Sequence, residues 1–124
     1  MNLIELTDFS PDEKPLPKWG DTAYVYCNFN NLKDIHEQFG AFYMCCQFND
    51  CSWYWSLFNV AHFVSVNFKN CRFAGVSIAG CTFTECHFEN CHFIADNLGS
   101  PCHFSDTRWY NCTQKHCKNL RFGL

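Results

Sequence analysis

Charge is scarce in this chain, and the little it has does not lean basic: 17% of residues are charged and the formal net charge is −3. A surface made for phosphates needs clustered Lys and Arg, so direct nucleic-acid binding is not expected. Long apolar runs are missing too. No stretch approaches the ~18 apolar residues of a membrane-spanning helix, which argues against a membrane protein. The sequence has no glycine-rich phosphate loop and no compelling spaced pair of carboxylates, so it offers no cofactor site and no acid–base pair. The opening Met1-Asn2-Leu3-Ile4-Glu5-Leu6 has neither the basic start nor the apolar run of a secretory signal, which points to the cytoplasm. At 124 residues one domain is expected.

What the chain does have is 14 Phe and 11 Cys. So many cysteines in a short chain first suggest a secreted disulfide framework. Their fixed spacing and odd number oppose that, and reduced thiols are the expectation. From Tyr43, every fifth residue reads Tyr43, Phe48, Trp53, Phe58, Phe63, Phe68, Phe73, Ile78, Phe83, Phe88, Phe93, Leu98. All are apolar and ten are aromatic, where composition alone gives about two. Two residues before each stands a small one, as in Ala41, Cys46, Cys51, Ser56, Cys71 and Cys91, with Asp96 the exception.

A period of five fits neither a helix face nor a long strand. Small and large residues two apart share one side of a short extended segment, and the residues between units favour turns, as in Asn49-Asp50, Lys69-Asn70, Ala79-Gly80 and Glu89-Asn90. Short strands separated by corners build a coil, and stacked coils satisfy each other's backbone hydrogen bonds at roughly 4.8 Å.

The runs Cys71-Arg72-Phe73, Cys81-Thr82-Phe83, Cys86-His87-Phe88 and Cys91-His92-Phe93 resemble the pentapeptide-repeat family, over about residues 22–122. The resemblance implies an all-β, right-handed, four-sided β-helix of about five coils, with one pentapeptide per side. Stacking residues twenty apart then gives Tyr43, Phe63 and Phe83 on one side and Phe48, Phe68 and Phe88 on the next. A third side holds Trp53, Phe73 and Phe93, and the fourth Phe58, Ile78 and Leu98. The beat slips by one within Asp96–Pro101, resumes at Cys102-His103-Phe104, and changes register once more between residues 30 and 40. Residues 1–21, with Leu3, Ile4, Leu6, Phe9, Leu16 and Trp19, read as an N-terminal capping or covering segment, and 22–124 as the repeat body. Leu120, Phe122 and Leu124 read as a terminal cap or dimer contact.

Several residue groups invite a chemical reading. Cys51, Cys71, Cys91 and Cys112 fall on one side as a row of thiols, but thiols in a line cannot converge tetrahedrally on zinc, so no metal and no cofactor are expected. In Cys86-His87, Cys91-His92 and Cys102-His103 adjacent side chains point to opposite sides of a strand, which rules out a nucleophile–base pair. No enzyme is expected. Cys45 falls on an outward corner and is the thiol expected to react first. Asp96, at an inward small position beside the slip, is expected in a bulged loop.

The outward positions carry the functional reading. Tyr54, Trp55, Leu57 and Ile94 face outward by the phase that buries Trp53, Phe58 and Phe93. With His87 and His92 they form the candidate partner-binding surface. The chain is therefore read as a non-enzymatic protein-binding module, an adaptor, inhibitor or scaffold of bacterial type, using an outer side of the rod. Its protein partner is not named by the sequence. A homodimer through the C-terminal cap or the apolar side patch is the other arrangement, and residues 1–21 folded over that patch are the expected cover. The resemblance implies an alternative, a DNA-mimicking protein that binds or protects a type II topoisomerase. Charge opposes it: residues 41–124 hold five acids against six bases, and the acids concentrate upstream, seven against three.

Overall fold

The computed structural model describes residues 2–122. Among them every regular element is a short β-strand, and the strands form four parallel sheets that are the sides of a solenoid of about five turns. Face 1 stacks Asn2–Glu5, Thr22–Val25, Phe42–Met44, His62–Val64, Thr82–Thr84 and Arg108–Tyr110. Face 2 stacks Asp8–Phe9, Asn28–Asn30, Gln47–Asn49, Asn67–Lys69, His87–Glu89 and Thr113–Lys115. Face 3 holds Ser52–Tyr54, Arg72–Ala74 and His92–Ile94. Face 4 holds Gln38–Phe39, Leu57–Asn59, Ser77–Ala79 and His103–Ser105. No helix among the described residues is long and apolar enough to cross a membrane.

The five-residue unit explains itself. In the three-residue strands from Asn28–Asn30 to His92–Ile94 the middle residue points inward and is buried, while its two neighbours point out. A corner residue with left-handed φ follows, as at Asp50 (φ 55°), Asn70 (φ 56°) and Asn90 (φ 52°). Asn and Asp tolerate that region, and Gly75 and Gly80 occupy it without a side chain to strain. Each corner N–H donates to the next coil, for example Asn70 N to Glu89 O at 3.0 Å. The small inward residue accepts in turn, as when Cys46 O receives Asn67 N at 3.0 Å.

Inside, the aromatics stack face to face. Trp53 to Phe73 is 4.6 Å between ring centroids, Phe73 to Phe93 4.3 Å, Phe63 to Phe83 4.7 Å and Phe68 to Phe88 4.7 Å, with planes within 3° of parallel. Cysteine suits the small position for a reason beyond its size. Its thiol donates to a carbonyl one coil back, as from Cys71 to Phe48 O at 3.3 Å and from Cys91 to Phe68 O at 3.2 Å.

Two buried polar atoms have no partner among the described residues, the Tyr43 hydroxyl and Trp53 Nε1. An unsatisfied buried donor costs about 1–3 kcal/mol. Tyr43→Phe is therefore expected to raise stability in a denaturant melt by about 1 kcal/mol. Tyr24→Phe is expected to lower it, because that hydroxyl donates to Lys18 O at 2.6 Å and accepts from Lys18 N at 2.9 Å.

Three expectations from the sequence need correction. Leu98 does not complete the Phe58–Ile78 column; it is 78% exposed, and Phe104 takes its place opposite Ile78. Leu57 to Ser77 is one coil of twenty residues, whereas Ser77 to His103 is twenty-six, so six extra residues loop out between faces 3 and 4. The same six residues move the thiols: Thr113 pairs with His87 and Lys118 bridges to His92, so Cys112 stacks on Cys86 and Cys117 continues the Cys51–Cys71–Cys91 row. The N-terminal residues do not fold over the side of the rod. Asn2–Glu5 and Asp8–Phe9 pair in parallel with Thr22–Val25 and Asn28–Phe29, which satisfies their backbone as a further coil. Phe9 stacks on Phe29 at 5.1 Å and Trp19 on Phe39 at 4.4 Å, closing that end.

The other end is more open. Phe104 is 38% exposed and Trp109 half-buried, with Leu120 buried and Phe122 5.0 Å from Trp109. Leu124 lies outside the described residues.

Candidate interaction surface

The six residues singled out from the sequence do not form one patch. Tyr54 and Ile94 lie in one outward column of face 3, with Ala74 paired between them, and His92 lies in the parallel column beside Arg72. Trp55 sits on the corner that ends this face. Leu57 is round that corner on face 4, 38% exposed. His87 is elsewhere, on face 2. There its Nδ1 lies 2.6 Å from Thr113 Oγ1 and its Nε2 3.9 Å from Glu89, amid Asn28, Asn30, Gln47, Asn49 and Asn67. Face 2 is polar throughout, because Asn side chains pair along the stack, as in Asn49 to Asn30 at 3.0 Å.

The loop that displaced Leu98 returns to this surface. Asp96 Oδ2 accepts from the Trp55 indole N–H at 2.7 Å, while Oδ1 accepts from Leu98 N at 2.8 Å and Ser100 N at 2.9 Å. The Tyr54 hydroxyl donates to Asn97 Oδ1 and accepts from Asn97 N at 3.2 Å. The Ser100 N–H, with the Trp55 indole and the Leu98 and Gly99 N–H groups, holds the Asp96 carboxyl below its ordinary range against some desolvation. Gly75 makes room, since a Cβ there would lie 2.8 Å from Asp96 Cβ. The result is an open groove of about 440 Å³ lined by Ser52, Tyr54, Arg72, Ile94, Asp96 and Asn97. Sequence reasoning placed Asp96 in a bulged loop but missed that Asp96 and Asn97 latch onto Tyr54 and Trp55. The run Asp96-Asn97-Leu98-Gly99-Ser100-Pro101, dense in turn formers, was the available signal.

No protein-family model and no curated protein matches the sequence. Among solved structures, the chain is similar to QnrB1 (R167E, trypsin treated), a plasmid-mediated fluoroquinolone resistance protein. That match has 16% identity and a TM-score of 0.32, and spans 94% of this chain and 67% of that one. It is also similar to Rfr23, a pentapeptide repeat protein from the cyanobacterium Cyanothece 51142, with 13% identity and a TM-score of 0.25, spanning 74% of this chain and 90% of that one. The chain's own five-residue unit, wound four to a coil with parallel sides, gives the fold on its own: a four-sided β-solenoid.

Within this coil of five-residue units all eleven cysteines are free. Burial pushes the Cys46 and Cys51 thiols up to about 11, which keeps them protonated and unreactive at neutral pH. Cys45, at a left-handed corner (φ 54°), is half-buried, as are Cys102, Cys112 and Cys117 in the last coil. Among the described residues no three His, Cys, Asp or Glu side chains are grouped to hold a metal ion.

Proposed function

We propose that the chain is a pentapeptide-repeat protein acting as a non-enzymatic protein-binding module whose contact surface is the outer column of face 3 and the corner beside it. Tyr54, Trp55 and Ile94 are its anchors, with Leu57 and His92 at the rim. His87 lies on the separate polar face and is left out. The observation that carries the reading is Trp55, which occupies a left-handed corner (φ 59°) and is 51% exposed. A bulky L-residue there is strained by about 1–2 kcal/mol, as it also is at the Val60 and Tyr26 corners, whereas the corner stacked on Trp55 in the next coil is Gly75. The indole N–H bonds Asp96 within the fold, but half of the ring stays exposed, which supports a contact role for its outer part. Stacked rings fill the inside of the coil, which supports binding over catalysis.

The test is comparative capture from the native cell, with wild type, Trp55→Asn with Ile94→Ser, and Asn67→Ala on face 2 as control. Proteins held by wild type and by the control, but lost about tenfold or more from the double variant, are the expected partners, as for a central aromatic anchor. Equal capture by all three rejects this surface. A DNA-supercoiling assay with type II topoisomerase separates the topoisomerase reading, and sedimentation of the purified chain separates a homodimer.

A further inference from the structure

The thiol stacking in the last coil goes beyond this reading. The last strands of faces 1 and 2, Arg108–Tyr110 and Thr113–Lys115, have a neighbour on one side only. Three half-buried thiols lie in this coil, and they differ in what stands beneath them. Cys102 stacks above Val76, since His103 N bonds Val76 O at 2.9 Å. Cys112 stacks above Cys86, since Thr113 N bonds Cys86 O at 3.0 Å, and Cys117 above Cys91, since Lys118 N bonds Cys91 O at 2.9 Å.

We propose that Cys86 and Cys112 form a redox pair that a hydroperoxide converts to a disulfide, fastening the terminal coil to the one before it. Both thiols point inward and in the same direction. Cys86 Sγ donates to Phe63 O at 3.4 Å and Cys112 Sγ to Phe83 O at 3.3 Å. Neighbouring parallel strands lie about 4.8 Å apart, inside the roughly 4.4–6.8 Å Cα separation that a disulfide spans. The sulfurs need a small approach, which a coil bonded on one side permits and a coil held on both sides, such as that of Cys71, resists.

The pair also divides the roles. The neighbouring Cys86 thiol holds Cys112 below the ordinary thiol range, while that contact and burial push Cys86 itself up, so Cys112 is the more acidic of the two. In the Cys91–Cys117 pair the order is reversed: burial pushes the more accessible Cys117 up, and the lowered thiol is the buried Cys91. The Cys112 thiolate attacks one peroxide oxygen, an S–O bond forms, the O–O bond breaks, and the alkoxide or hydroxide leaves as alcohol or water with the thiol's proton. The Cys86 sulfur then attacks the sulfenic sulfur. An S–S bond forms, the S–O bond breaks, and hydroxide leaves as water with the Cys86 proton. Two thiols have lost two electrons to one peroxide.

The full chain treated with hydrogen peroxide, alkylated with iodoacetamide and digested decides the matter by mass spectrometry. The expected product is a Cys86–Cys112 cross-linked peptide, about tenfold above any other pair, reversed by dithiothreitol, with Cys102 alkylated. Cys102→Ser keeps the link and Cys112→Ser abolishes it. Should Cys112→Ser fail to fold, the wild-type peptide map stands alone. Cys112 found as sulfinic acid with Cys86 alkylated, Cys112 unreacted, or a Cys91–Cys117 link in its place overturns the assignment.

Discussion

Phe73→Ala is expected to cost about 3–5 kcal/mol, the range for removing a large buried aromatic. Phe73 is 2% exposed and lies between Trp53 at 4.6 Å and Phe93 at 4.3 Å, so both of its faces are in ring contact. The hole cannot close, because the rings above and below belong to strands whose register with their neighbours is fixed by backbone hydrogen bonds. Each coil of a solenoid touches only the next, so a break at Phe73 also uncouples the coils on either side. Phe104→Ala removes the same atoms where the ring is 38% exposed and meets Phe93 and Trp109 only at a tilt, and is expected to cost about half as much. His87→Ala should stay within about 0.5 kcal/mol, as for an ordinary surface site. The check is a denaturant series on the three variants. Similar losses at Phe73 and His87 would mean that the inward phase is misassigned.

That phase was legible because the repeat uses so few residue types. With Phe two after Cys every five residues, inward and outward positions separate without any structure. What a period of five hides is the number of coils. A slip of one residue and an insertion of six leave the same phase, so Leu98 and Phe104 both fit the beat, and so do Cys112 and Cys117 above Cys91. Backbone pairing alone distinguishes them. The first coil was hidden differently. Ile4, Phe9, Trp19, Tyr24 and Phe29 keep the beat of five, but Lys14-Pro15 breaks it and no Cys stands two residues before Ile4, Phe9 or Trp19. The segment therefore read as a cover, although Ile4 pairs with Tyr24 and Phe9 with Phe29. At the candidate surface, the outward direction of Tyr54, Trp55 and Ile94 followed from phase. The Asp96 latch did not, because it joins residues some forty apart through a loop that interrupts the repeat.

Gly75→Ala tests that latch. Gly75 lies at a left-handed corner (φ +58°), and an added Cβ would meet Asp96 Cβ and Oδ2 at 2.8 Å, nearer than real contacts allow. Gly80 is its natural control, with φ +63° and only Val60 Cγ2 at 3.5 Å from such a Cβ. Gly80→Ala should therefore cost only the left-handed strain, about 1 kcal/mol. Gly75→Ala should cost about 2–3 kcal/mol, because Asp96 must also move away from the Trp55 indole and from the Leu98 and Ser100 N–H groups. Moving Asp96 leaves the indole N–H to water, so Gly75→Ala should shift tryptophan emission, and the shift should vanish when Trp55 is also changed to Phe. Equal losses at Gly75 and Gly80 with no emission change would place the loop away from Trp55. A loss of partner capture in Gly75→Ala but not in Gly80→Ala would make the latched loop part of the binding surface, because Gly75→Ala leaves the side chains of Tyr54, Trp55 and Ile94 in place and changes only what holds them.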